Sequence, residues 1–524
     1  MSAGLATPGH LVEVFSQAWV DPARAATLAL VDERRRYTYA ELHDAVGRCA
    51  GWLRAAGVRE GDRVAIAMAR SADLAICILG TMAAGACPCP LEPKLGTEEA
   101  QRRARVAGLR WIVVDATNSA EGSTSGIAPE RRLLFEPDPN VPPYWTTRLL
   151  PESDGFLLFT SGSSGKPKGV LQNHRGMLAN ALGVMVHTGL GPADRLLHIM
   201  PLHHTNGVNN QLLAPLAAGS SVALASRFRA QDMPELMAFY RPTIVTGVPT
   251  MFARMLPLDF PRESLSSLRM LRCGSAPITE ELHKKIEAKF GLPLVVSYGL
   301  SEATCTSTMN PRASRKLGSV GTPLAGQSLF LRAANGEQIS APDTDGEICI
   351  AGPTLMTGYL LDASGGAPDS PGSTLRTGDL GRFDDEGYLF ITGRLKDVII
   401  RGGENLSPNL IEEAIAAVPG VAACCVVGQA HFELGEVPVA VVVRHQDAQG
   451  LTLDSETIAH AVCSRLSRIH QPAKTYFVTS LPENATGKID RRKVRESLAS
   501  LESSLHLPAR PPSGGCHCLF TEVP

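Results

Sequence analysis

The chain has 524 residues, 44% of them hydrophobic and 19% charged, which suits a soluble globular protein large enough for two or three packed units. Its 50 Lys and Arg against 52 Asp and Glu leave a formal net charge of -2, which excludes a global bias toward nucleic acid or an anionic membrane. The opening MSAGLATPGHLVEV lacks a basic stretch before a long apolar core, and no run of about 18 apolar residues follows, so a cytoplasmic protein is expected.

Thr38 and Glu41 stand at capping-box spacing, and Leu42, Val46, Cys49 and Leu53 share one face, which predicts a helix over 38–57 that stops at Gly57. The run VAIAM at 64–68 reads as a buried strand. A helical pattern from Asp73 to Ala84 follows, and Cys87 to Leu91 reads as a further short strand, so a parallel sheet is expected. That pattern resumes at 111–114, 156–159, 196–199, 221–224, 243–248 and 293–299, with helical stretches between. Residues 115–150 lack periodicity and predict surface loop. Past about 325 the texture changes to short strands with turn signals, at 335–337, 345–350 and 384–391, which predicts a β-rich subdomain. After GRLKD at 393–397 an amphipathic helix near 408–418 and the runs VAACCVVG and VPVAVVVR predict a small α+β unit.

The fold class is therefore α/β: a large multi-sheet N-terminal domain with parallel α/β subdomains and a β-rich subdomain, plus a small mobile α+β C-terminal domain. The expected boundaries are 1–395, 396–506 and a disordered tail at 507–524, where Cys516-His517-Cys518 lacks further ligands for a metal. The 12 cysteines, among them Cys49, Cys77, Cys349 and Cys463, form no C-x-x-C pair and read as reduced core residues.

The segment FTSGSSGKPKGV at 159–170 is suited to a polyphosphate. Gly162, Gly165 and Gly169 permit tight turns with amides facing oxyanions, Thr160, Ser161, Ser163 and Ser164 add hydroxyls, and Lys166 and Lys168 add charge. It is not a Walker A loop, because Pro167 occupies the place of the required hydroxyl. Alone it could equally be a surface linker, but apolar runs flank it on both sides. In SYGLSEA at 297–303, Tyr298 and Glu302 should emerge at a strand's C-terminal end, where ligands bind in α/β sheets. Glu302 suits Mg²⁺, or simply a helix N-terminus. Asp379 is expected in a tight turn and Arg394 just before the composition change, either as nucleotide contacts or as ordinary turn residues. Lys488 lies on a glycine-bearing turn before a basic helix. His203 and His204 follow the strand at 196–199; on extended backbone only one of them would face a site, where it could orient a carboxylate or act as a base.

Taken together, these segments resemble the AMP-forming adenylate-forming superfamily of acyl-CoA synthetases, nonribosomal adenylation domains and luciferases. The resemblance runs from TYAELHDAVGRCAGWLRAAGVREGDRVAIAM through FTSGSSGKPKGV, YGLSE, GEICIAGPTLMTGYL, RTGDLG, GRLKDVIIRGGENLSPNLIEEAI and ATGKIDRRK. It implies that residues 160–168 hold ATP phosphates, that Gly274, Ser275, Ala276 and Pro277 with Tyr298 enclose adenine, and that Gly299 and Ser301 line the same nucleotide site. It further implies Glu302 as the Mg²⁺ ligand, Asp379 on the ribose, Arg394 on the nucleotide, and Lys488 across the carboxylate and α-phosphate. Lys396 would be the hinge, with Gly402 and Gly403 brought to the acceptor tunnel after rotation. His204 matches a family histidine, whereas His203 stands where an aromatic is common.

The implied reaction is ATP-dependent formation of an acyl-adenylate from a small-molecule carboxylic acid, followed by transfer to coenzyme A. Transfer to an amino acid or amine, as in coronafacate-type ligases, or to a separate carrier protein shares the first step. A silent nucleotide sensor of the same fold is opposed by the presence of Lys488, Glu302 and Lys168. His204, Asn206, Gly207, Gly274, Leu300 and Gly321 would neighbour the acid, and their small, polar character favours a compact or aromatic acid over a long fatty chain.

Overall fold

The computed structural model describes residues 9–92, 95–118, 124, 126–160, 168–360, 368–483 and 488–505. Residues 161–167 and the tail beyond 505 lie outside the described residues, and with them Ser161, Gly162, Ser163, Ser164, Gly165, Lys166, Cys516 and Cys518.

Apolar runs without alternation become strands covered on both faces. Arg63–Ala67 pairs in parallel with Cys87–Pro90 and Trp111–Val114, and Trp111–Val114 pairs in turn with Arg132–Leu134. The stretch expected as loop thus contributes the short edge strand Arg132–Leu134, too brief for a two-residue pattern to register. Tyr39–Ala55 opens with the expected capping box, Thr38 and Glu41 each accepting the other's backbone amide. Ala72–Ala83 is buried nearly all round and packs against it, and Gly80 permits that approach because a Cβ there would sit 2.6 Å from the Cys49 sulfur.

A nine-stranded sheet forms the second layer. Its centre is parallel, in the order Leu294–Tyr298, Met270–Cys273, Ile244–Gly247, Arg195–His198, Ser221–Leu224 and Leu28–Val31. Antiparallel strands close both edges. The largest core cluster lies between this sheet and the first, built from helices 39–55, 72–83 and 174–188.

The run at 156–159, expected to continue the parallel series, instead pairs antiparallel as Asp154–Thr160 against Lys168–Asn173, with Gly358–Leu360 on the other side. Only seven residues, 161–167, join the two strands, too few for the crossover that parallel pairing needs. A five-stranded antiparallel sheet, Gln338–Ile339, Ser328–Arg332, Gly346–Ala351, Thr374–Phe383 and Leu389–Arg394, forms the β-rich part. The last sheet has Val421–His431 and Gly435–Arg444 as a long hairpin, flanked by Ile399–Arg401 with Glu404–Leu406 and by Lys474–Val478. Helices Pro408–Ala416 and Ser455–Arg465 cover one side of it and Arg491–Leu505 the other. Nine of the ten described cysteines are buried and thiol-bearing, but Cys463 is exposed on its helix, outside the core expected for it.

Candidate functional site

Strand Leu294–Tyr298 delivers Tyr298 at its C-terminal end, and Tyr298 Oη donates a 2.8 Å hydrogen bond to Asp379 Oδ2. Asp379 is not in a turn. It lies inside Thr374–Phe383, just after Gly378, whose φ of 71° breaks the regular strand. The hairpin register sets Asp379 opposite Arg394, whose Nε donates to Asp379 Oδ1 at 2.5 Å. Burial and then the Asp379 charge hold the Tyr298 phenol well above its ordinary pKa, so it remains a donor. Asp379 is 3% exposed, and its two committed oxygens still keep lone pairs for further donors.

Lys488 joins this group from beyond the last sheet. Burial pushes its ammonium down to about 8, with Arg394 adding repulsion and Asp379 and Cys305 acting in the opposite direction. Lys488 also depresses His204, which burial and His203 together with it bring down to about 3. The two histidines lie in a turn where the His204 amide donates to Pro201 O, not on extended backbone, so both rings are brought together with centroids 4.4 Å apart. Burial pushes His203 down to about 4, so both imidazoles are neutral near pH 7. His204 Nε2 is buried with no hydrogen-bond partner among the described residues.

A second group forms nearby around Glu302, in the short 3₁₀ turn Ser301–Ala303. Tyr359 Oη donates to Glu302 Oε1 at 2.7 Å, and Lys168 Nζ lies 4.7 Å from the centroid of the Tyr359 ring. Lys168 pairs in register with Thr160, so both flank the undescribed loop carrying Ser161, Gly162, Ser163, Ser164, Gly165 and Lys166. Tyr359, which links the cation and the carboxylate, was not singled out from the sequence, although the GYL segment that carries it was. Among the described residues no three His, Cys, Asp or Glu side chains cluster as a metal site. Glu302 could therefore contribute a single carboxylate to a hard cation, with phosphate and water completing the shell.

The Gly274–Pro277 loop leaves strand Met270–Cys273 beside Tyr298. Ser275 adopts a φ of 67°, and its Oγ accepts from Asn206 Nδ2 at 3.2 Å. Gly299 is needed on steric grounds, since a Cβ there would lie 1.9 Å from Cys305 O. The carbonyl of Ser301 accepts from Gln172 Nε2 at 2.9 Å. Gly321 likewise has no room for a Cβ, which would stand 2.0 Å from the Met309 carbonyl carbon. The irregular helix Asn206–Leu213, with π-type turns, covers this end of the sheet and buries Asn206, Asn209, Asn210 and Gln211. Lys396 is exposed in the turn Leu395–Asp397, and Gly402 and Gly403 have φ of 58° and 89° in the hairpin that follows. Among the described residues, no hydrogen bond or ion pair of the Tyr298, Asp379 and Arg394 side chains reaches Lys396, Gly402 or Gly403, so the three stand apart from that group.

The model of the AMP-binding enzyme matches residues 16–360, and that of the AMP-binding enzyme C-terminal domain matches 410–488. A feruloyl-CoA synthase of Amycolatopsis sp is 34% identical over 472 residues, covering 87% of this chain and 93% of the relative. The ATP-bound structure of MatB from Rhodopseudomonas palustris superposes with a TM-score of 0.84 at 29% identity, over 94% of this chain and 100% of that one. The o-succinylbenzoate CoA synthetase of Bacillus subtilis, in complex with its acyl-adenylate intermediate, gives 0.79 at 27% identity over 94% and 99%.

Proposed function

The chain belongs to the AMP-binding enzyme family, and on that premise we propose how its residues carry out the chemistry. It is an AMP-forming carboxylate ligase that binds ATP and turns a carboxylic acid into an acyl-adenylate. Asp379, steadied by Tyr298 and Arg394, accepts the ribose hydroxyls on its remaining lone pairs. The Gly274–Pro277 loop and Tyr298 flank the base, and Thr160, Lys168 and the loop between them take the phosphates. Glu302 would hold Mg²⁺, which when bound would supply neutralisation of the phosphate charge.

A carboxylate oxygen of the acid attacks the α-phosphorus. An oxygen–phosphorus bond forms, the bond to the bridging oxygen breaks, and pyrophosphate leaves with its electron pair. Lys488 and Lys168 offset negative charge as it develops, while neutral His204 stands beside Lys488. The carrying observation is Lys488 itself: it reaches from near the chain's end to the Arg394–Asp379 pair and stays protonated up to about pH 8.

The thiol sulfur of coenzyme A then bonds to the acyl carbon, the bond from that carbon to the phosphate oxygen breaks, AMP leaves with its electron pair and the thiol proton passes to solvent, a reading supported by relatives named as CoA ligases. Residues 396–506 act as the lid, turning about Lys396 to withdraw Lys488 and present Gly402 and Gly403. The test is acid-dependent pyrophosphate release with ATP and Mg²⁺, followed by separate addition of coenzyme A and of amino acids. Thioester is expected; amide in its absence would overturn the acceptor, and no pyrophosphate with any acid would overturn adenylation.

A further inference from the structure

Arg272 is 2% exposed, yet its Nε and Nη1 are buried without a hydrogen-bond partner among the described residues. Arg54, Arg332 and Arg444 each leave one buried nitrogen open among the described residues, but these residues are only part-buried, and the part-buried Arg70 and Arg269 are well partnered. Arg70 donates to the carbonyls of Ala225, Met200 and His198, and Arg269 grips Asp194 at 2.6 Å. Among the described residues Arg272 has neither carbonyls nor a carboxylate, and a buried charge without such partners is strongly unfavourable.

Its position follows from strand alternation. Leu271 and Cys273 face the core cluster on one side of the nine-stranded sheet, whereas Met270, Ile244 and Val295 face Val208, Leu212 and Leu213 on the other. Arg272 and its register neighbour Thr246 therefore point to the second side, beneath the helix Asn206–Leu213. Thr246 Oγ1 is also buried and, among the described residues, unpartnered. Arg272 lies two residues before Gly274, about 7 Å deeper along the strand. Cys305 is within electrostatic reach of Arg272 on one side and of Lys488 on the other. Its thiol, pushed up to about 11 mainly by burial, is neutral and compensates neither cation.

We propose that Arg272 and Thr246 form the floor of the acid pocket and bind a second oxyanion, a carboxylate or sulfonate, at the far end of a compact substrate. This rests on the adenylation reading above and names its substrate class. One acid group meets Lys488 and is activated, while the other pairs with the Arg272 fork and accepts from Thr246. The charge left open in the free protein is closed only by the correct acid, and a site of this kind discriminates strongly against analogues lacking the partner group.

The experiment pairs acids of matched skeleton: malonate with propanoate, succinate and 3-sulfopropanoate with butanoate, and terephthalate with benzoate. The kcat/KM for pyrophosphate release should favour the doubly anionic member of at least one pair by about 100-fold or more. Arg272→Met should collapse that ratio toward one, with Arg272→Lys between. Independently, the favoured acid should raise the melting temperature of the wild type, and this shift should vanish in Arg272→Met. Adenylation of monoacids with no preference in any pair, or a ratio that survives in both variants, overturns the inference and leaves adenylation standing. No acid-dependent pyrophosphate release with any pair overturns the adenylation reading, and this inference with it.

Discussion

Asp379 and Lys488 illustrate how far a single side chain's behaviour depends on its neighbours. Lys488 loses its proton near pH 8 because it is taken out of water beside another cation. If it neutralises the transition state, kcat/KM for adenylation should be steady below this value and fall as pH rises through about 8, since the charged form is the active one. Lys488→Ala should lose about 10²- to 10³-fold in adenylation, measured by pyrophosphate exchange, and Lys488→Arg should retain activity to higher pH. Comparable losses in thioester formation from supplied acyl-adenylate would contradict the assignment. The site residues legible in the sequence were those standing in short polar motifs at strand ends. Tyr359 and Arg272 were not, because a lone tyrosine or arginine among apolar residues gives no hint of the carboxylate, or the missing carboxylate, that folding sets beside it.

Elements were legible where burial pattern and length agreed. The capping box at Thr38 fixed one helix start, and fully apolar runs gave the parallel strands. Direction of pairing at 154–173 follows from the length of the intervening loop rather than from the strands, and Asp379 from a glycine inside a strand that imitates a turn. One contact between elements bears on the lid. Arg254, on helix Pro249–Met255, donates through Nη2 to both oxygens of Glu483 at 2.9 and 2.8 Å, five residues before Lys488. The pair is half-exposed and contributes only about 0–1 kcal/mol, enough to bias the proposed lid but not to hold the fold. Arg254→Ala should lower kcat/KM for adenylation about 3-fold, leave the melting temperature unchanged, and spare the transfer half-reaction.

For the molecule as a whole, composition and strand order indicated α/β layers, and among the described residues no helix is long and apolar enough to cross a membrane. Sequence patterns do not reveal titratable groups held in the core. His174 is fully buried, neither ring nitrogen has a partner among the described residues, and burial followed by His10 pushes its pKa down to about 3. Below pH 6.5 the unfolded chain protonates this imidazole while the folded one does not, so stability present at neutral pH is lost as pH falls toward 3. His174→Leu should remove roughly 2 kcal/mol of the loss between pH 7 and pH 5, read from urea midpoints at the two values.

Arg394 closes the ladder opposite Asp379, and the very next residue begins the turn that carries Lys396. The turn proposed as the pivot of the lid is thus tied to the carboxylate proposed to grip the sugar. Filling the nucleotide pocket would stiffen that turn, so a spectroscopic label at Leu395 should report nucleotide occupancy before any acid arrives.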